Sequence, residues 1–108
     1  MPLTRSFNET LRARAASDPG FGQALLAEAG QAVLKGDMES ARAALRATIN
    51  ATIGFEALAR ITGIPPKSLM RMFGPNGNPT AANLSGVISA LQKKTGVHLE
   101  VRAVEAAE

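Results

Sequence analysis

The 108-residue chain has no cysteine, no tryptophan and no tyrosine. Without cysteine, disulfides and thiolate metal sites are excluded. Four phenylalanines are the only aromatics, so a core has to be built from Leu, Ile, Val and Ala. Alanine and leucine favour helices. No apolar run approaches the roughly 20 residues of a membrane helix. The opening Met1-Pro-Leu-Thr-Arg-Ser-Phe-Asn-Glu9 lacks the apolar stretch of a signal peptide, which makes a cytoplasmic protein the expectation. Paired carboxylates, a His/Asp set and an activated nucleophile are all missing, so the chain reads as no enzyme, with no cofactor and no metal.

A further absence is local. From Ala57 to Leu99 there is no aspartate or glutamate, yet Arg60, Lys67, Arg71, Lys93 and Lys94 lie there. Residues 1–53 hold six Lys/Arg against five Asp/Glu, so most of the net charge of +3 comes from the later part of the chain. A stretch that keeps cations and sheds anions suits a phosphate backbone.

What is present is a series of helix signals. Ser6-Phe-Asn-Glu9 has the spacing of a capping box, predicting a first helix to about Ala16 with Phe7, Leu11 and Ala15 on one face. Asp18-Pro19 predicts a second start, followed by the apolar face of Phe21, Leu25, Leu26, Ala29, Ala32 and Val33 and a stop at Gly36. Asp37 caps a third helix, in which Met38, Ala41, Leu45, Ile49 and Thr52 recur at helical spacing up to Gly54. Phe55–Thr62 is a short fourth helix, Gly63 a turn, and Pro66 opens a fifth that closes at Gly74. After the Pro75–Pro79 loop, Thr80 caps a sixth helix carrying Leu84, Val87, Ile88 and Leu91, with Lys93 and Lys94 in its last turn. Val97-His-Leu-Glu-Val-Arg102 alternates apolar and polar residues, predicting a short C-terminal β-strand. A lone strand needs a partner, either the N-terminal segment Met1–Arg5 or the same strand of a second copy. Self-pairing across a two-fold axis needs no other sequence and is favoured, which makes Val97, His98, Leu99 and Val101 a candidate dimer interface.

The fourth and fifth helices carry the chemistry. Ala59 lies four residues before Gly63, where two helices touch and a small side chain fits. Gly63 permits the left-handed backbone of a sharp turn. Leu58, Ile64, Leu69 and Met72 occupy locking positions. Lys67 and Arg71 face the other way, with Ser68 and Met70 on the flanks. That is the exposed cationic face that major-groove docking requires. Arg or Lys reads guanine, Ser bonds a base edge or a phosphate, and Met meets a thymine methyl. Asn78 and Thr80 are candidate phosphate contacts at a helix start. Leu34 stands outside the apolar face of its helix, beside Ala27 and Gly30, as a candidate partner contact.

From about residue 38 to 96, including Gly74, Asn78-Pro79-Thr80, Leu84, Ile88, Leu91 and Gly96, the chain resembles the lambda-repressor/Cro-like (Xre) helix-turn-helix family. As a whole it looks like the HigA-like addiction-module antidotes. The resemblance implies an operator-binding autorepressor that also neutralises a RelE/ParE-type toxin. Two positions depart from the family: Glu56 stands where relatives often carry glutamine, and Pro65-Pro66 replaces the usual polar start of the recognition helix.

The expected fold is therefore all-α, a lambda-repressor-like helix-turn-helix domain of about six helices with a short C-terminal strand. One domain spans 1–108: N-terminal helices 1–36, helix-turn-helix core 37–96 and strand 97–103. The expected function is a homodimeric, DNA-binding repressor and antitoxin. The alternative is a protein-interaction module that binds a toxin or other partner, with DNA binding weak or lost.

Overall fold

Three of the six helices begin where a side chain caps them. In a computed structural model, which describes the backbone of residues 2–107 and side chains from residue 6 to 107, six α-helices follow one another. They are α1 (Pro2–Ser17), α2 (Pro19–Leu34), α3 (Met38–Ala51), α4 (Phe55–Thr62), α5 (Pro66–Met72) and α6 (Ala81–Thr95). The fold is all-α. The Asp18 side chain accepts from the Gly20 amide at 3.1 Å, and Pro19 opens α2. Asp37 accepts from the Ser40 amide at 3.1 Å and opens α3. Thr80 accepts from the Asn83 amide at 3.1 Å and opens α6. Each side-chain oxygen satisfies an amide that the first helical turn leaves without a partner.

The apolar stripes meet in one core. Leu26 and Ala29 of α2, Leu45 and Ile49 of α3, Leu58 of α4, Leu69 and Phe73 around α5, and Val87 and Leu91 of α6 are fully buried. Here α2 packs on α3 and α6, α4 packs on α5 and α6, and α1 lies against α3 and α2. Thr48 is the one buried polar residue among those described, and its hydroxyl donates to the Ala44 carbonyl at 2.7 Å. Satisfied in this way, it costs little to bury. The layer of α1 is thinner. Phe7 is 60% exposed, and α1 is tied down by Arg12, whose Nε donates to the Asn50 carbonyl at 3.0 Å, and by Arg14, stacked 4.8 Å from the Phe21 ring centre. No helix among the described residues is long and apolar enough to cross a membrane.

Two expectations are corrected. Ser6 does not cap the first helix: α1 already begins at Pro2, and Ser6 lies inside it, its carbonyl accepting from the Thr10 hydroxyl at 3.0 Å. Proline at the first helical position gives up no hydrogen bond, so the chain starts its helix four residues before the Ser-x-x-Glu pattern. The C-terminal strand is absent, as is any strand among the described residues. Val97–Arg102 runs without a ladder, because the chain bonds it to α6 instead. The Val97 amide donates to the Gln92 carbonyl at 3.2 Å and the Leu99 amide to the Gln92 side-chain oxygen at 2.6 Å. Val97 and Leu99 are half-buried against the core, so alternation here records which residues lie over the helices, not a pleat.

Candidate nucleic-acid interface

The site is built on α4, α5 and the start of α6. Helix α4 ends at Gly63, which takes φ 77° and ψ 8° and donates its amide to the Ala59 carbonyl. A side chain in that left-handed region is strained, which is why glycine stands at the turn. Ile64 and Pro65 complete the turn and Pro66 is the first residue of α5. Leu58 and Leu69 are fully buried, while Ala59, Ile64 and Met72 pack against the core. The residues read from the sequence as locking the two helices together all lie on the inner side.

With Leu69 and Phe73 inside and Met72 beside them, one face of α5 turns outward. Lys67, Met70 and Arg71 are exposed and Ser68 is half-buried. Met70 keeps 48% of its surface open, so its thioether is free to make an apolar contact. Asn78 and Thr80 are also exposed. The Thr80 oxygen is used in capping but its hydroxyl hydrogen remains available to donate. Glu56 and Arg60 are exposed on α4. Lys93 and Lys94 are exposed at the far end of α6, in the last turn, where cations complement the helix dipole.

Two residues that the sequence did not single out turn out to hold α5. On α3, the Arg42 Nε donates to the Gly74 carbonyl at 3.1 Å and its Nη2 to the Pro75 carbonyl at 3.0 Å. One turn on, Arg46 donates to the Phe73 carbonyl. A signal was there: two like charges four apart on a helix repel, and such a pair on an alanine-rich helix asks for acceptors elsewhere. Gly77 is the other missed residue. A Cβ there would overlap the Met72 carbonyl oxygen, so the loop folds back tightly on the end of α5.

The candidate dimer residues are divided by the structure. Val97 and Leu99 are occupied by intrachain packing, and a Cβ on Gly30 would come within 2.8 Å of Leu99. His98 and Val101 are exposed. Leu34 is 67% exposed and does lie with Ala27 and Gly30, on a groove of about 410 Å³ whose other wall includes Leu99 and Val101. No three His, Cys, Asp or Glu among the described residues stand together in a way that would hold a metal ion. Comparison with known proteins returns nothing: no family model, no curated protein and no solved structure matches the chain.

Proposed function

We propose that this chain is a sequence-specific transcriptional repressor that binds duplex DNA as a homodimer. In this reading α4, the Gly63 turn and α5 form a helix-turn-helix, with α5 entering the major groove. The observation that carries it is the partition of α5: Leu69 and Phe73 are fully buried, while Lys67, Met70 and Arg71 project outward from a segment with no acidic residue between Ala57 and Leu99. Lys67 and Arg71 supply charge and guanine contacts, Ser68 and Met70 flank them, and Asn78 and Thr80 approach the backbone from the start of α6. The lambda-repressor/Cro-like resemblance adds an operator in the chain's own promoter. It also adds the role of antitoxin in a type II toxin–antitoxin module, with a RelE/ParE-type toxin as partner and a cytoplasmic location.

Titration of the promoter duplex and a scrambled duplex at two salt concentrations tests the reading. The promoter is preferred, half-sites lie about one or two turns apart at roughly 34 Å per turn, and affinity falls with salt as counterions are released. Equal affinity for the two duplexes removes the repressor reading.

A specific observation favours a second reading, a module that binds a protein partner. The Leu34 groove presents exposed Leu34 and Val101 side by side with half-buried Leu99, an apolar surface that DNA contact through α5 leaves open. Co-expression with the product of the adjacent reading frame, and growth rescue, separates the two.

A further inference from the structure

Helix α5 is poorly equipped to hold its own orientation. It has seven residues, well below the length at which an isolated helix persists. Its N-cap is Pro65, which makes no side-chain cap bond, and no acidic residue stands in its first turn. At its other end Phe73 takes φ −103° and ψ 12°, so no left-handed residue closes the helix. The carbonyls of Phe73, Gly74 and Pro75 follow directly on that end, and the one on Gly74 already accepts from the Gly77 amide at 3.0 Å.

We infer that Arg42 and Arg46 of α3 are positioning residues that set the angle at which α5 presents Lys67 and Arg71. The inference rests on the DNA-binding reading above. Between them the two guanidinium groups donate to three consecutive carbonyls at the end of α5: Arg46 to Phe73, and Arg42 through Nε and Nη2 to Gly74 and Pro75. Both arginines are half-buried. They meet the negative end of the α5 dipole with fixed, planar donors. Leu69 and Phe73, with Met72 beside them, hold α5 to the core through apolar contact, which is not directional. Hydrogen bonds just past its end are directional and fix its orientation. Because α3 is itself anchored by Leu45 and Ile49, the clamp refers the orientation of α5 to the centre of the core. Neither arginine needs to touch DNA for this.

The test uses the full chain with Arg42→Gln, Arg46→Gln and the two lysine replacements. Each is titrated against a duplex that the wild type selects from randomised DNA and against a scrambled duplex of the same composition. A charged hydrogen bond lost at the clamp is expected to weaken binding to the selected duplex about tenfold. Binding to the scrambled duplex, and the salt dependence of both, stay as in the wild type. The lysine variants fall with the glutamine variants, because an ammonium keeps the charge and loses the fork. Equal loss on both duplexes with a shallower salt slope means direct phosphate contact and overturns the inference. So does full activity of the lysine variants, which would leave charge alone as the cause, or no change in any variant. Amide hydrogen exchange across residues 69–77 separates this inference from the reading beneath it. If the wild type selects no sequence, the DNA reading fails. The clamp then stands as an ordering device if exchange at 69–77 quickens in the variants while α2 and α6 are unchanged, and falls if it does not.

Discussion

A single carboxylate shows how local chemistry sets a helix start and ties it to pH. The Asp37 side chain holds the Ser40 amide, and hydrogen bonding to Ser40 keeps its carboxyl below the usual carboxylate range, with Lys35 adding a smaller attraction. A carboxyl lowered by folding contributes stability that is present above its unfolded pKa and is lost as pH falls through the folded value. Asp37→Ala is therefore less stable than the wild type at neutral pH, and the gap closes as the solution is acidified below the usual carboxylate range. Urea unfolding of both proteins from neutral to strongly acid pH reads this. A gap that stays constant with pH means the cap acts without its charge.

At the scale of elements, α5 and the C-terminal segment make opposite demands on their residues. On α5, Arg71→Ala lowers affinity for the preferred duplex by about 1–3 kcal/mol and relaxes preference at one base pair if Arg71 holds a guanine. Lys67→Ala lowers affinity more evenly across sequences. On the proposed docking, Glu56→Gln tightens binding, because it removes a carboxylate that would face the DNA backbone. These three are read by titration on promoter and scrambled duplexes, and weaker binding by Glu56→Gln contradicts the placement of α4 on DNA. The segment after α6 works by packing. Leu99 lies over Gly30 with its amide on Gln92, so Leu99→Ala costs about 1–2 kcal/mol, half the range for a wholly buried leucine. Thermal unfolding with unchanged helical signal is the expected result. No loss of stability implies that Leu99 belongs to an interface between copies.

Across the whole molecule, the first two helices are unequal. Helix α2 places Leu26 and Ala29 in the centre of the core, whereas α1 leans on α3 and α2 with Phe7 largely exposed. Removal of residues 1–17 leaves a cooperative, helical protein. Removal of residues 1–36 takes away part of the core and abolishes cooperative unfolding. Circular dichroism with urea titration distinguishes these outcomes, and a folded 37–108 fragment assigns α2 to partner binding instead of packing. The same asymmetry separates two sides of α2: it is scaffold along its inner face, and Leu34 on its outer edge stays exposed.

The helices were legible in the sequence because their determinants are local. Asp18, Asp37 and Thr80 act on amides two or three residues away, Gly63 needs only its own backbone angles, and the apolar spacing of Leu45 and Ile49 or Val87 and Leu91 follows from helix geometry. The all-α class and the exposed face of α5 were readable on the same grounds. The start of α1 was not legible, because a Ser-x-x-Glu pattern fits inside a helix as well as at its beginning. Tertiary structure alone decided the rest. Alternation in Val97–Arg102 describes one covered side equally well for a strand and for a segment laid along helices, and the proximity of Gln92 and Gly30 chose the second. Arg42 and Arg46 reach carbonyls 27 to 33 residues away, and their spacing on α3 asks for acceptors without saying which ones. Which cations project outward and which hold the fold together is a question of where their acceptors lie, and only the packed chain fixes that.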